Sequence, residues 1–105
     1  MQRGAGAQTD LKTFHQLGVF GATALNCIVS FDPAHDWNHR FVPVDPQVIA
    51  DQIEAAVGVH GSIDAVKIGM LGTPATVEVV ARALDHYAFP QVVLDPVLII
   101  GRAHV

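Results

Sequence analysis

The chain has 105 residues and carries six Lys and Arg against ten Asp and Glu, which gives a net charge of −4 at pH 7. Half of its residues are hydrophobic and only 15% are charged, so the composition excludes an intrinsically disordered chain and predicts a buried core. The basic residues are scattered singly and form no stripe that would neutralise a phosphate backbone, so we expect no nucleic-acid partner.

The sequence predicts neither a signal peptide nor a membrane helix, because no apolar run approaches the roughly 18 residues that a membrane helix requires. Cys27 is the only cysteine and lies in an apolar run. An internal disulfide is therefore excluded, and a buried structural thiol is favoured over a reactive one. We expect a cytoplasmic protein with no membrane partner.

The first half of the chain predicts one helix followed by two strands. The helix begins at a cap formed by Thr9 or Asp10. The apolar run 19–29 predicts a strand that is covered on both faces. Polar residues and a turn signal at 30–40 predict a loop, and 41–44 predict a short edge strand.

The second half predicts two helices that alternate with two strands. Each helix begins at a capping residue followed by proline, at Asp45-Pro46 and at Thr73-Pro74. A short buried strand running into a glycine-bearing loop occupies 64–72, and the last strand covers 91–94. This alternation is typical of an α/β fold with a doubly wound, mainly parallel sheet.

Both ends of the sequence favour an incomplete domain. The chain opens in a glycine turn and stops a few residues after its last strand. About three helices are too few to cover both faces of so apolar a parallel sheet. We therefore expect residues 1–105 to be one part of a larger domain.

Candidate ligand-binding residues lie where the predicted strands end, because ligands of open parallel sheets bind at that edge. The turn 69–73 brings backbone amides and a helix N-terminus towards an anion, and a simple tight turn is an equal alternative. Asp95 is placed to hold a cation near phosphates, although from spacing alone a turn aspartate is favoured. Lys67, unusual in a buried strand, either reaches a ligand or extends to the end of the sheet.

Two histidines raise a metal site as a minor alternative. His35 and His39 lie four residues apart, but Pro33 and Trp37 favour a loop, so the spacing is weak support for zinc. The sequence also contains no GxSxG and no CxxC motif.

Four segments with the sequences GAGAQTDLKTF, LGVFG, DAVKIGMLG and VVLDPV follow one another, at residues 4–14, 17–21, 64–72 and 92–97. Together they resemble the hydroxymethylpyrimidine/phosphomethylpyrimidine kinases and the related pyridoxal kinases of the ribokinase superfamily. The resemblance covers about Gly4 to Leu98, which corresponds to the N-terminal part of such a kinase. It implies part of a ribokinase-like three-layer α/β sandwich.

The resemblance also implies a reaction, in which ATP with Mg²⁺ phosphorylates a hydroxymethyl group on a pyridine or pyrimidine ring. The residues that it places on the substrate side are Asp10, Phe31, Lys67, Gly69 and Met70. It places Asp95 beside the triphosphate and its Mg²⁺. The catalytic base and most of the ATP site are expected in the C-terminal part of the kinase, so the isolated chain is not expected to catalyse. Full-length members of the family are commonly homodimers.

The loop after the Cys27 strand contains residues that distinguish the possible substrates. The pyrimidine kinases usually carry glutamine and asparagine there, whereas this chain carries Phe31-Asp32-Pro33, with Trp37 and His39 further on. The latter pattern resembles the pyridoxal kinases, so pyridoxal or pyridoxine is the favoured small-molecule substrate. Two alternatives stay open, namely a hydroxymethylpyrimidine kinase of thiamine biosynthesis and a non-catalytic module that only binds the ring or another partner.

Overall fold

The computed structural model describes residues 6–95. Its helices and strands, in chain order, are α1 (Ala7–Gln16), β1 (Cys27–Asp32), β2 (Asn38–Pro43), α2 (Pro46–His60), β3 (Ala65–Ile68), α3 (Pro74–Tyr87) and β4 (Gln91–Leu94). A short 3₁₀ helix, Pro33–His35, joins β1 to β2. No helix in the described part of the chain is long and apolar enough to cross a membrane.

The predicted starts of α2 and α3 are confirmed by their caps. The Asp45 carboxylate accepts a 2.8 Å hydrogen bond from the Gln47 N–H, and the Thr73 hydroxyl accepts a 3.1 Å bond from the Thr76 N–H. Each side chain satisfies a backbone donor that the first turn of a helix leaves unpaired. A proline follows each cap, where its missing N–H is not needed.

The predicted start of α1 is wrong by a few residues. The helix begins at Ala7, after Gly6, and no side chain caps it. Gly6 has a φ of 93°, a conformation that glycine adopts at little cost, and its carbonyl accepts from the Asp10 N–H at 3.0 Å. Asp10 therefore lies inside the first turn, and its carboxylate is free to contact another part of the chain.

Strands β3 and β4 form the parallel sheet that the alternating pattern predicted. Lys67 lies opposite Val93 and Ile68 lies opposite Leu94. Helix α3 connects the two strands, which makes a βαβ unit, and α2 packs against α3. The side chains of Ile49, Ile68 and Thr76 are the buried ones among the described residues.

The prediction of a buried strand at 64–72 is wrong for most of the strand that the structure describes there. On β3 only Ile68 is buried, and Val93 and Leu94 on β4 are 56% and 65% exposed. A sheet with two strands in residues 6–95 has few neighbours to bury its side chains, although its strands are as apolar as expected.

The boundaries predicted for the first strand and its loop are wrong. Strand β1 begins only at Cys27 and continues to Asp32, where it pairs antiparallel with β2 in a hairpin. The predicted loop 30–40 shrinks to a tight turn, because the Asp32 carboxylate accepts from the Ala34 N–H at 2.9 Å. Asp36 and Trp37 close the turn at φ of 57° and 59°.

A side chain replaces a strand partner for part of the apolar run that precedes β1. The side-chain amide of Gln52 on α2 donates to the Leu25 carbonyl and accepts from the Leu25 N–H, both at 2.8 Å. These two bonds satisfy the backbone of Leu25 as a neighbouring strand would. A hydrophobic pattern does not show that a side chain will take the place of a neighbouring strand. The apolar residues 19–26 are therefore predicted as strand, although the structure has no strand there.

Gly72 fixes the hairpin against the loop that follows β3. It has a φ of 83°, and a Cβ atom there would lie 2.9 Å from Cε2 of Phe41 and closer still to Cζ. The ring of Phe41 on β2 therefore packs directly on the Gly72 backbone. Both the conformation and the contact require glycine.

We expect Gly72→Ala to lower the free energy of unfolding by about 1–3 kcal/mol, because alanine is strained at this φ and collides with the Phe41 ring. Gly58→Ala is the matched control. Gly58 lies within α2 with no atom near its Cβ position, so alanine should stabilise the chain by about 0.5–1 kcal/mol. Urea unfolding measures both changes, and equal effects of the two substitutions would contradict the Phe41 contact.

Candidate functional site

The ammonium group of Lys67 joins three segments that are far apart in sequence. Its Nζ lies 2.8 and 2.9 Å from the two carboxylate oxygens of Asp10 on α1. It also lies 3.5 Å from Oδ2 of Asp95, directly after β4. We refer to Asp10, Lys67 and Asp95 as the lysine cluster. Three of the predicted site residues therefore meet in the structure.

The parallel pairing of β3 and β4 brings Asp95 to Lys67. Lys67 is opposite Val93, and the Asp95 N–H donates to the Ile68 carbonyl at 2.8 Å, which continues the ladder beyond β4. The cluster thus lies at the carboxyl end of the sheet. Ligands of open parallel sheets bind at this edge.

Helix α1 supplies Asp10, the third member of the cluster. The segment after this helix packs back onto it through a close contact at Gly21. A Cβ atom on Gly21 would lie 2.6 Å from the Phe14 ring and 2.8 Å from Leu11. The chain after α1 therefore folds back onto the helix, and the Val19 N–H donates to the Phe14 carbonyl at 2.8 Å. This packing leaves Asp10 to form the ion pair with Lys67, 57 residues away.

The hydrogen bond from Lys67 to Asp10 raises the pKa of the Lys67 ammonium, and the charges of Asp10 and Asp95 raise it further, while partial burial opposes the shift. Lys67 is therefore charged at neutral pH. One positive charge faces two carboxylates, which leaves the cluster with a net negative charge. Such a cluster attracts a cation or a hydrogen-bond donor of a ligand.

The turn 69–73 connects β3 to α3, and two backbone amides that follow it have partners within the chain. The Thr76 N–H is taken by the Thr73 hydroxyl, and the Val77 N–H is taken by the Thr73 carbonyl. Pro74 has no N–H to offer. Both interpretations of this turn, an anion-binding loop and a simple connection between β3 and α3, stay predictions.

Gly69 and Met70 follow Lys67 at the same edge, with different surroundings. No atom lies within 4 Å of a Cβ position on Gly69, so the described residues do not themselves require glycine there. The Met70 carbonyl accepts a 3.0 Å hydrogen bond from the side chain of Asn26. The Asn26 carbonyl in turn accepts from the Val44 N–H at 2.9 Å.

Asn26 is a positioning residue that the sequence analysis missed. Its backbone carbonyl joins the start of the β1–β2 hairpin to Val44 at the hairpin's other end, and its side-chain amide bonds to Met70 in the loop after β3. Asn26 thereby places the hairpin beside the candidate site. The available signal was a single polar amide inside the apolar run 22–29. Buried or half-buried amides of this kind are usually engaged in hydrogen bonds.

Phe31 lies on the hairpin, opposite His39, with 6.0 Å between the ring centroids. Its side chain is 44% exposed and borders a shallow depression that Asp32, His35 and Arg40 also line. Among the predicted substrate residues, Phe31 thus lies on the β1–β2 hairpin, whereas Asp10 and Lys67 meet in the lysine cluster.

The two histidines considered for zinc have other neighbours. His35 Nδ1 lies 2.6 Å from the Asp32 carboxylate, and His39 faces the Phe31 ring. In the described range no three His, Cys, Asp or Glu side chains are grouped as metal ligands. Cys27, predicted to be buried, is only half-buried, and this partial burial raises the pKa of its thiol.

We expect Lys67→Met to lower the free energy of unfolding by about 1 kcal/mol at neutral pH, because it leaves two carboxylates facing each other without their cation. Lys12→Met, at an exposed position of α1, is the control and should change it by less than about 0.5 kcal/mol. Urea unfolding provides the measurement.

The same substitution has a predictable pH dependence. The folded-state pKa of Lys67 is raised above its ordinary value of 10.5, so the bridge stabilises the fold fully below that pH. Its contribution is lost as the pH rises through the raised pKa. The difference between wild type and Lys67→Met should therefore vanish in strong alkali, and a constant difference would show that packing alone stabilises the site.

Comparison with known proteins identifies the family. The family model described as phosphomethylpyrimidine kinase matches residues 2–105. A pyridoxine kinase of Bacillus subtilis is 42% identical over 96 residues, which is 91% of this chain and 35% of that protein. A hydroxymethylpyrimidine/phosphomethylpyrimidine kinase of the same organism is 40% identical over 96 residues, 91% of this chain and 34% of the relative.

A solved structure confirms the architecture. The pyridoxal kinase of Staphylococcus aureus, solved in complex with AMP-PCP and pyridoxal, superposes with a TM-score of 0.79 at 35% identity, over 94% of this chain and 36% of that one. The fold is therefore part of a ribokinase-like α/β sandwich with a parallel sheet. The chain belongs to the phosphomethylpyrimidine kinase family, and it spans about a third of the length of the relatives that it matches.

Proposed function

We propose that this chain supplies the ring-binding side of an ATP-dependent kinase that phosphorylates the hydroxymethyl group of pyridoxal or pyridoxine. The lysine cluster is the observation that carries the proposal. It brings the residue expected at the substrate ring, Asp10, and the residue expected at the triphosphate, Asp95, to one ammonium group. Membership of the kinase family supports the reaction class.

Asp10 is the proposed acceptor for a donor group on the ring. Lys67 engages both of its oxygens, yet a carboxylate has about four lone-pair sites, so acceptor capacity remains. The side chain is 30% exposed and therefore reachable by a ligand. Because the ion pair already holds the carboxylate, a ligand has less side-chain freedom to freeze on binding.

Asp95 is the proposed ligand for a Mg²⁺ ion carried by the nucleotide. Mg²⁺ usually takes one or two protein carboxylates, with phosphates and water completing its shell. A single carboxylate that is 64% exposed at the carboxyl end of the sheet fits that role. When bound, the ion neutralises charge that develops on the phosphates during transfer.

Phosphoryl transfer requires chiefly positioning and charge stabilisation from the protein. The described residues provide positioning, through Lys67 and Asp10, and one cation ligand. Lys67 is charged and so is not suited to accept the hydroxymethyl proton, and we propose binding roles rather than proton transfer for Asp10 and Asp95. We therefore assign the catalytic base to the remainder of the kinase.

The hairpin favours a pyridine substrate. Phe31 presents an apolar ring at the position where we expect the pyrimidine kinases to carry an amide, and an apolar side chain cannot read the polar edge of a pyrimidine. A hydroxymethylpyrimidine substrate is the second candidate. The 40% identity to the pyrimidine kinase of Bacillus subtilis favours it.

The first test of the proposal is turnover and binding by the purified 105-residue chain. We expect saturable binding of pyridoxine but no ATP-dependent phosphorylation, with the complete pyridoxine kinase of Bacillus subtilis as the active control. Turnover by the chain would contradict our assignment of the base to the remainder of the kinase. Absence of any ring binding would contradict the proposed function itself.

A substitution at Phe31 tests the choice of ring. Phe31→Gln introduces an amide that can pair with a pyrimidine, so the ratio of the pyridoxine to the hydroxymethylpyrimidine affinity should fall by up to about tenfold. Phe31→Leu keeps the position apolar and should leave the ratio nearly unchanged. Equal ratios for the two variants, measured by calorimetric titration, would remove Phe31 from the specificity determinants.

A further inference from the structure

We infer that Gln52 is a positioning residue for the ring-binding side of the site, although it lies on α2 and belongs to neither the lysine cluster nor the hairpin. It acts by fixing the backbone that aims the Asn26 side chain at the Met70 carbonyl. The inference rests on the proposed function and extends it to a residue outside the predicted site.

The Gln52 side chain fixes the peptide plane that enters Asn26. Its amide nitrogen donates to the Leu25 carbonyl at 2.8 Å, and its amide oxygen accepts from the Leu25 N–H at the same distance. Because a peptide bond is planar, the Leu25 carbonyl and the Asn26 N–H belong to one rigid unit. The bond to that carbonyl therefore limits how the chain is oriented on the amino side of Asn26.

The hairpin fixes the peptide plane that leaves Asn26. The Asn26 carbonyl accepts from the Val44 N–H at 2.9 Å, and β1 pairs with β2 from the next residue onwards. With the planes on both sides held, the direction of the Asn26 Cα–Cβ bond is set. The side-chain amide then reaches the Met70 carbonyl at 3.0 Å, across 44 residues of sequence.

The chain immediately before Asn26 has no strand partner and little burial. Residues 22–25 are exposed and form no strand, and the side chain of Leu25 is 51% exposed. Gln52, in contrast, lies on a fixed element, since Ile49 on the same helix is only 1% exposed. The orientation of Asn26 thus depends on Gln52 more than on apolar packing of its own segment.

Asn26 joins the two segments that carry Met70 and Phe31, both predicted on the substrate side. If the Asn26 amide turned away from Met70, the loop after β3 and the hairpin would lose their direct bond. A ring ligand would then have to order these segments as it binds, which lowers its affinity. Loss of Gln52 should therefore weaken ring binding without removing any group that touches the ring.

Gln52→Met removes both bonds and keeps an unbranched side chain of similar length, so we expect the pyridoxine affinity of the folded chain to fall by about three- to tenfold. Gln47→Met is the matched control, because the Gln47 amide bonds to Asp51 on the same helix. It should leave the affinity nearly unchanged. Calorimetric titration gives the values, once circular dichroism has shown that each variant is folded, and equal affinities for wild type and Gln52→Met would overturn the inference.

A double-mutant cycle with Asn26 separates positioning from a general loss of stability. Asn26→Ala removes the bond to Met70, so a residue that acts through this amide has nothing left to position. We expect Gln52→Met to lower pyridoxine affinity in the wild type and to have little further effect in Asn26→Ala. Losses that simply add would show that Gln52 does not act through Asn26.

Gln52→Glu is the milder variant should Gln52→Met fail to fold. The glutamate still accepts from the Leu25 N–H, but as a carboxylate it has no donor for the Leu25 carbonyl. We expect the pyridoxine affinity to fall as in Gln52→Met, because the bond to the carbonyl is the one that orients Asn26. Wild-type affinity in Gln52→Glu would overturn the inference and leave the proposed function intact, whereas a wild type that binds no pyridoxine would overturn both.

Discussion

The site depends on one ammonium group placed between two carboxylates. Lys67 is unusual as a strand residue, and its long side chain extends from β3 to reach α1 and the end of β4 together. A half-exposed cation that faces two anions keeps its charge at neutral pH, and each carboxylate gains a partner that it would otherwise take from water. The geometry of the cluster therefore follows from charge as much as from packing.

The hairpin is attached to this site by short polar and steric contacts rather than by a large core. Asn26 joins it to the Met70 carbonyl, and the Phe41 ring packs on Gly72. Residues 6–95 bury very few side chains completely. Small contacts of this kind consequently decide where Phe31 lies relative to Lys67. Substitutions at Asn26 or Gly72 would therefore move the residue that we propose to determine specificity, without a direct contact to a ligand.

The sequence predicted well what local chemistry decides. The predicted starts of α2 at Asp-Pro and of α3 at Thr-Pro are confirmed, and so is the parallel pairing of β3 and β4. Helix caps and the alternation of helices with strands can be predicted because they depend on residues that are close in sequence. The predicted extent of β1 is wrong, because the side-chain amide of Gln52 takes the place of a strand partner at Leu25. Gln52 and Leu25 are far apart in sequence and meet only in the folded chain. Asp10, Lys67 and Asp95 were each singled out, but their mutual ion pairs join residues far apart in sequence and are visible only in three dimensions.

A double-mutant cycle on Asp10 and Lys67 tests the central interaction most directly. The free energy of unfolding is measured for the wild type, Asp10→Asn, Lys67→Met and the double variant at neutral pH. If the ammonium and the carboxylate stabilise each other as the structure shows, the double variant is more stable than the sum of the single losses predicts, with a coupling energy of about 1 kcal/mol. A coupling energy near zero would contradict a site organised around Lys67.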